Sequence, residues 1–298
     1  MQEELTMKII TLLMVQLLLV GSLFAVEMKK GAQVPAIVPV SWLKTEMNNS
    51  HLVIIDLRTA EAYKAGHLKH AVNIPALKGL FDSKFFMPKL DYLQKTFSNA
   101  GIDSNSLVVA YDNGDFIWAA RFYWILEVLG HKNVGILKVG YGNPKLIGIA
   151  ASTQAYLPKP TEFVPRVDSS KVQTKLSTLM AIDHKTIIDG RKVEAYEGKE
   201  STAKRFGHIP TAKNYACTQN YQVTKNGNEM RDLSELKSLY KDLDRSKEIV
   251  LYCDGGAEAA LNYIVLQELG FKASVYDGSW LEWGNDTNTP VENPSDKK

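Results

Sequence analysis

The stretch Glu248-Ile-Val-Leu-Tyr-Cys-Asp-Gly-Gly-Ala-Glu-Ala-Ala260 decides how the rest of the chain is interpreted. Residues 249–252 form the short apolar run of a buried strand, and residues 257–269 repeat apolar positions at helical spacing. Cys253 therefore lies in a tight loop at the N-terminus of a helix. Free backbone N–H groups and the helix dipole favour an anion there and lower the pKa of a thiol. We predict that Cys253 is a nucleophile, although a lone cysteine is more often a packed apolar side chain.

The same signals occur twice in the chain. Ile54-Ile-Asp-Leu-Arg58 is echoed by Ile187-Ile-Asp-Gly-Arg191, and Gly66-His-Leu-Lys-His-Ala-Val-Asn73 is echoed by Gly207-His-Ile-Pro-Thr-Ala-Lys-Asn214. The second pair begins at residues 66 and 207, an offset of 141 residues. Self-similarity over the length of a domain indicates duplication. The order strand, helix, strand, helix predicts an α/β fold in which each half has a parallel sheet covered on both faces.

The length of 298 residues fits two domains. We place an N-terminal domain at residues 34–149, a second domain at 167–284 and a polar tail, expected to be poorly ordered, at 285–298. Between the domains, residues 150–166 contain three prolines and predict an extended linker.

The first 25 residues have the pattern of a secretory signal peptide. Lys8 precedes an apolar run at residues 9–20, and small residues end at Ala25. Acidic residues before Lys8 are unusual in a leader, so the translated start could be Met7. An uncleaved membrane anchor is the alternative, because the run is just long enough to span a bilayer. We expect a periplasmic or otherwise exported protein.

Composition limits the classes of partner. The chain is 45% hydrophobic with a formal net charge of +2, which gives no nucleic-acid signature. We expect a small-molecule partner, no nucleic acid, and no stable membrane partner unless the leader is retained. Cys217 and Cys253 could form a disulfide after export, but a core of this size does not require one.

Together these features resemble the tandem-domain rhodanese-like sulfurtransferases, the thiosulfate/3-mercaptopyruvate sulfurtransferase family. The resemblance rests on the paired Asp-x-Arg strand ends, the paired Gly-His segments, the Cys253 loop and Tyr276-Asp-Gly-Ser-Trp-Leu-Glu-Trp283. It covers nearly the whole chain after the leader. It implies two α/β domains, an inactive N-terminal copy and one nucleophilic cysteine in the C-terminal copy. The first half accordingly has Asp112 where the second has Cys253.

The implied chemistry is a double displacement. The Cys253 thiolate would take sulfane sulfur from thiosulfate, mercaptopyruvate or a persulfide or polysulfide, hold it as a persulfide, and pass it to a thiophilic acceptor such as cyanide, a thiol or a protein thiol. No metal or cofactor is required. The backbone of the loop would hold the anion. The candidate substrate-binding residues are Arg191 and the loop residues Asp254, Gly255, Gly256, Ala257, Glu258 and Ala259.

Other polar residues have a more ordinary interpretation. His67 and His208 recur in both halves, including the half that lacks the nucleophile, so we interpret them as structural. The paired aspartates and arginines of the Asp-x-Arg segments are interpreted in the same way, although Arg191 could also face the substrate. Cys217 could be a resolving thiol, but a packed free cysteine is the commoner case.

Two alternative functions are weighed. The first is a cysteine phosphatase or arsenate reductase on the related fold, which needs an arginine six positions after the cysteine to bind an oxyanion. Ala259 occupies that position, so the sequence argues strongly against this class. A non-enzymatic sulfur carrier or interaction module remains the alternative to a sulfurtransferase.

The loop also bears on the donor. Thiosulfate-specific relatives carry basic residues directly after the cysteine, whereas this chain has Asp254 and Gly255. Asp254 and Glu258 should repel a dianion. We predict poor use of thiosulfate and a preference for a less charged or larger donor such as a persulfide or polysulfide, and we leave open the use of mercaptopyruvate through Arg191, Lys192 or Arg205.

Overall fold

The computed structural model describes residues 33–297 and contains two five-stranded parallel sheets. The strands of the N-terminal domain are β1 (Ile37–Val38), β2 (Leu52–Asp56), β3 (His67–Leu68), β4 (Ala71–Asn73), β5 (Leu107–Tyr111), β6 (Val134–Leu137) and β7 (Ala151–Ser152). The sheet order is β1-β6-β5-β2-β4, and β3 pairs with β7 in a separate antiparallel ribbon.

The second domain repeats this arrangement. Its strands are β8 (Val172–Gln173), β9 (Thr186–Asp189), β10 (Lys213–Asn214), the hairpin β11 (Tyr221–Thr224) and β12 (Gly227–Met230), β13 (Ile249–Tyr252) and β14 (Ala273–Tyr276). The main sheet runs β10-β9-β13-β14-β8. Central strands β5 and β13 are buried along their whole length, as expected for strands covered on both faces.

Ten α-helices connect and cover the described strands. The N-terminal domain has α1 (Val40–Glu46), α2 (Ala60–Ala65), α3 (Ala76–Gly79), α4 (Leu90–Asn99) and α5 (Ile117–Val128). The second domain has α6 (Lys175–Leu179), α7 (Val193–Tyr196), α8 (Leu233–Leu239), α9 (Ala257–Glu268) and α10 (Ser279–Trp283). The predicted α/β fold with two parallel sheets is confirmed.

The two domains share one apolar core built around α5 and α9. These helices pack against each other and are apolar on nearly all sides, which is typical of a helix buried all round. Strand alternation divides the side chains between two faces. Ile55 and Leu251 point into the shared core, whereas Ile54 and Val250 belong to separate clusters on the outer faces. The domain interface is therefore interior, and the loops at its edge are held by both domains.

The segment between the domains lies against the first of them. Residues 153–168 form no helix or strand, and the amides of Arg166 and Asp168 donate to the carbonyls of Leu129 and Val128. The limits of the domains and of the linker stay a prediction; β7, which pairs with β3 of the N-terminal domain, falls within the predicted linker.

The expectation that the tail is poorly ordered is wrong for its described part. The Arg205 guanidinium donates to carbonyls between residues 283 and 289, Trp283 donates to the Pro290 carbonyl, and His208 exchanges backbone hydrogen bonds with Glu292. These hydrogen bonds hold the tail against the second domain, although the tail itself is polar.

The predicted leader, residues 1–25, lies outside the described residues. Within residues 33–297, no helix has both the length and the apolar character needed to cross a bilayer.

Candidate active site

Cys253 follows β13 directly and precedes the N-terminus of α9. Its amide donates to Ser279 Oγ (3.2 Å), and its carbonyl accepts from the amide of Trp280 (2.9 Å). Leu281 donates in turn to the carbonyl of Asp254 (3.0 Å). The first turn of α10 therefore fixes the backbone of the Cys253 loop. This gives the segment around Trp280 a structural role in the active site.

The thiol is buried in a cradle of backbone N–H groups. Cys253 is 1% exposed, and the amide of Gly256 donates to its Sγ at 3.0 Å; the Ala259 amide is a second backbone group that favours the thiolate. Burial raises the pKa of Cys253 to about 12; the Glu258 and Asp254 carboxylates also raise it, whereas the two amides lower it. The amides at the helix terminus lower the pKa of this thiol and the two carboxylates oppose them, both as predicted, but burial, which the sequence does not reveal, outweighs the amides.

Two acidic side chains flank the thiol. Asp254 accepts a hydrogen bond from Thr202 Oγ1 at 2.6 Å. Glu258, in the first turn of α9, is half-buried. Burial raises the pKa of Glu258 to about 7; the charges of Asp254 and Asp189 act in the same direction, and that of Arg191 acts in the opposite one. The site therefore holds a carboxyl group that changes charge near neutral pH.

Arg191 makes the same ion pair as its counterpart in the first domain, Arg58, but it also has a buried nitrogen without a partner among the described residues. Its Nε and Nη2 bind Asp189 (2.6 Å for the Nη2 contact), and Nη2 also donates to the Gly207 carbonyl at 2.8 Å. Arg58 binds Asp56 with the same distances. Arg191 Nη1, however, is buried with no hydrogen-bond partner among the described residues and lies 4.0 Å from Asp254 Oδ1. The ion pair is structural in both domains, and one N–H-bearing atom is left for a ligand.

A small cavity of 140 Å³ adjoins the loop. Its lining includes Arg191, Lys192, Glu200, Cys217, Asp254 and Glu258. Lys192 is paired with Glu200 at 2.7 Å, and Arg205 is bound to tail carbonyls. Of the three basic residues considered for mercaptopyruvate, Arg191 alone both lines the cavity and carries an unused donor atom.

Both cysteines are free and buried. Burial raises the pKa of Cys217 above its ordinary value, and the charge of Glu258 acts in the same direction. A disulfide between Cys217 and Cys253 is not present.

The two histidines hold backbone groups. His67 Nδ1 lies 2.8 Å from the Tyr63 carbonyl, and His208 Nδ1 lies 2.7 Å from that of Tyr196. Each imidazole also stacks on a tyrosine ring, His67 on that of Tyr63 and His208 on that of Tyr196. These contacts agree with the structural interpretation of both residues.

The equivalent cradle in the N-terminal domain contains a carboxylate. Asp112 accepts from the amides of Gly114 (2.8 Å), Phe116 (3.1 Å) and Ala119 (3.1 Å). Phe116 and Gly256 each stand at the N-cap of the following helix with left-handed backbone, so the two cradles correspond. The first domain thus shows that a loop of this kind has amides enough for a side chain with two oxygen atoms.

The N-terminal domain also forms one wall of the active loop, which sequence reasoning missed. Arg121 of α5 pairs with Asp277 (Nη1 to Oδ1, 2.6 Å), and the other Asp277 oxygen accepts from the Met87 amide at 2.7 Å. Phe85 lies over Gly255. The available signal was an arginine in a helix that is apolar apart from Glu127, but the partner of Arg121 lies 156 residues away in sequence.

Among the described residues, no group of three or more His, Cys, Asp or Glu side chains is arranged to hold a metal ion.

Comparison with known proteins identifies the family. Residues 39–143 and 172–286 each match the model of the rhodanese-like domain. A putative thiosulfate sulfurtransferase of Synechococcus elongatus is 30% identical over 275 residues, covering 86% of this chain and 85% of that protein. The thiosulfate sulfurtransferase of Corynebacterium glutamicum is 31% identical over 282 residues, covering 88% and 92%.

Solved structures share the fold. The 3-mercaptopyruvate sulfotransferase of Escherichia coli superposes with a TM-score of 0.70 at 24% identity, over 82% of this chain and 98% of that one. The anaerobic ergothioneine biosynthesis enzyme of Chlorobium limicola gives 0.76 at 21% identity, over 87% and 70%. The predicted family is confirmed: the chain belongs to the rhodanese family, with two rhodanese-like domains in tandem, and it is a sulfurtransferase.

Proposed function

We propose that this enzyme moves sulfane sulfur from a small-molecule donor to a thiophilic acceptor through a persulfide on Cys253. The observation that carries the proposal is the position of Sγ, 3.0 Å from the Gly256 amide and within the cradle that also includes Ala259. Oriented backbone N–H groups stabilise a thiolate and then the persulfide anion without reorganising. In the first domain the corresponding amides hold both oxygens of the Asp112 side chain, which supports a cradle at Cys253 large enough for the two sulfur atoms of a persulfide.

The donor is a persulfide, a polysulfide or mercaptopyruvate in preference to thiosulfate. Two carboxylates, Asp254 and Glu258, line the cavity, and Arg191 Nη1 is its free buried cationic donor among the described residues. A dianion meets more like charge here than a donor with one negative charge. A carboxylate such as that of mercaptopyruvate would bind Arg191.

Mass spectrometry of the intact protein after incubation with each donor tests this proposal. The wild-type protein should gain one sulfur on the Cys253 peptide and lose it to cyanide or a thiol. Cys253→Ser should gain none, whereas Cys217→Ser should behave as wild type. Sulfur uptake that persists in Cys253→Ser refutes the mechanism. Uptake by the wild type without transfer to any acceptor would instead identify a carrier module.

Export is part of the proposal. The leader pattern of residues 1–25 supports it. Burial of both free thiols is compatible with an oxidising compartment, since exposed thiols are those most readily oxidised there.

A further inference from the structure

The N-terminal domain has a cavity of its own at the Asp112 loop, which we call the N-terminal cavity. Its volume is 400 Å³, against 140 Å³ for the cavity beside Cys253. A carboxylate cannot carry sulfane sulfur as a persulfide, so this cavity has no nucleophile of its own. Its lining includes Arg58, Ala76, Leu77, Asp112, Asn113 and Trp118.

Backbone hydrogen bonds show that the two cavities occupy equivalent places in the two domains. The Ala76 amide donates to the Leu57 carbonyl at 3.2 Å, and the Cys217 amide donates to the Gly190 carbonyl at 2.9 Å. Leu57 and Gly190 each precede the arginine of an Asp-x-Arg segment. Ala76 therefore has the position of Cys217, and the residues that follow these two correspond as well.

The helices that follow the two loops match in the same way. Phe116 and Gly256 are the N-caps of α5 and α9, and both have left-handed backbone. The second residue of each helix is then Trp118 in the first domain and Glu258 in the second. Each of these two residues lines the cavity of its own domain. An indole therefore stands in the N-terminal cavity where a carboxylate stands beside Cys253.

The matched positions are charged or polar in the second domain and mostly apolar in the first. Two carboxylates, an ammonium group and a thiol are lost from the lining, and no charged group replaces them at these positions. The pairs, with the second-domain residue first, are Lys192 and Thr59, Cys217 and Ala76, Thr218 and Leu77, Asp254 and Asn113, and Glu258 and Trp118. The N-terminal cavity thus keeps the place of a substrate site but has different chemistry.

The groups that could bind an anion in the N-terminal cavity are already engaged. Three loop amides donate to the Asp112 carboxylate. Arg58 is held in its ion pair, and its guanidinium carbon lies 3.7 Å from the centroid of the Tyr141 ring. The two exposed charged residues of the lining, Glu61 and Lys78, have opposite signs. Neither an anion nor a cation is favoured, so the charges suit an uncharged ligand.

Leu77 and Trp118 provide the apolar surface of the cavity. Leu77 is 61% exposed, and Trp118 is half-buried. Phe81 packs against the Trp118 ring with centroids 6.3 Å apart and an angle of 87° between the planes, so the indole is held in place before a ligand binds. A ring bound against these two side chains would remove apolar surface from water and contact an aromatic partner.

We propose that the N-terminal cavity is a second binding site, which takes an uncharged small molecule with an aromatic ring. Ligand sites in proteins have volumes of about 300–1,000 Å³ and a mainly apolar lining with a few polar groups. Asn113, which is exposed, supplies an amide that can both donate and accept. Because the loop has Asp112 in place of a cysteine, the molecule is bound and not turned over. The site does not depend on the persulfide of Cys253.

Two fluorescent probes with the same rings test the proposal. N-phenyl-1-naphthylamine is uncharged, and 8-anilino-1-naphthalenesulfonate is its anionic, sulfonated analogue. In fluorescence titrations of the purified wild-type protein, the uncharged probe should saturate at one site, and the anionic probe should bind about 10-fold more weakly or less tightly still. Equal affinities for the two probes would contradict the argument from charge.

Two variants install the residues that the second domain has at the matched positions. Leu77→Thr should weaken binding of the uncharged probe by about 3-fold, and Trp118→Glu should weaken it by about 10-fold or more. Leu77 is exposed, so its replacement should leave the fold intact. Leu176→Thr is the matched control, because Leu176 in α6 is 66% exposed and lies outside the lining of the cavity. It should bind the probe as wild type does.

Sulfur uptake separates this site from the one at Cys253. Saturating uncharged probe should leave sulfur uptake from a persulfide donor unchanged, and Leu77→Thr should take up sulfur as wild type does. Weaker probe binding in Leu77→Thr and Trp118→Glu, with wild-type binding in Leu176→Thr, supports the proposal. Probe binding that does not saturate in wild type, that is equal in all three variants, or that competes with the sulfur donor refutes the N-terminal cavity as a second site and leaves the persulfide function standing.

Discussion

Replacing Gly256 by alanine should damage both stability and catalysis, whereas the same change at Gly255 should not. Gly256 has a φ of 84°, and an added Cβ would lie 2.7 Å from Arg121 Nη1 and 3.3 Å from the Asp277 carbonyl. Arg121 cannot easily move, since it is fully buried with its guanidinium over the rings of Phe81 and Trp124. The substitution therefore strains the backbone and presses on a buried ion pair at once.

The magnitude follows from these two effects. A left-handed conformation costs an L-residue about 1–2 kcal/mol, and outright breakage of a buried ion pair costs about 3–5 kcal/mol. Partial displacement of Arg121 places Gly256→Ala at about 2–4 kcal/mol of lost unfolding free energy. At Gly255 the Cβ would meet Leu281 and Phe85 at 3.5 to 4.0 Å, which is ordinary contact, so Gly255→Ala should stay within about 0.5 kcal/mol.

Urea unfolding followed by tryptophan fluorescence measures the first effect, and single-turnover sulfur uptake measures the second. Because the Gly256 amide donates to Cys253 Sγ, a displaced loop should slow uptake by about 10²-fold, the loss typical of one missing donor in an anion cradle. If the two alanine variants have equal stability and equal uptake rates, the positive φ and the Arg121 contact do not constrain this loop as argued.

Three further predictions concern the domain interface, the donor and the leader. Arg121→Met and Asp277→Asn should each lose about 3–5 kcal/mol of stability by stranding a buried partner, and the double variant should recover part of that loss in denaturant titration. Wild type should have a lower kcat/KM for thiosulfate than for glutathione persulfide, and Asp254→Arg combined with Gly255→Lys should raise the thiosulfate value by ~10²-fold or more through two charge-assisted contacts; an unchanged value contradicts the electrostatic account. N-terminal sequencing of the mature protein should give a start just after Ala25, and an intact first methionine on soluble cytoplasmic protein contradicts export.

Local pattern was sufficient to predict the sheets and the loop. Strands such as residues 107–111 and 249–252 are continuous apolar runs, and α9 begins and ends within one residue of its predicted limits. The repeat predicted that Asp56 and Asp189 would have the same role, and each carboxylate indeed binds the arginine two positions later.

What sequence did not reveal depends on distance and depth. The contact between Arg121 and the active loop joins two domains, and no local spacing signals it. The direction of the pKa shift at Cys253 depends on burial, which outweighs the helix terminus that the sequence does indicate. The ordered tail depends on Arg205 finding several carbonyls at once.

The two cradles explain why the active loop carries glycine at its helix N-cap. Phe116 occupies the same left-handed position with a φ of 61°, and its side chain is buried against Tyr221 with ring centroids 5.5 Å apart. A side chain is therefore compatible with this backbone, and the packing of the ring offsets the conformational cost. At Gly256 the corresponding space is taken by Arg121 from the other domain. The inactive domain thus restricts the residue that the active loop accepts, and an Arg121→Ala background should reduce the penalty of Gly256→Ala.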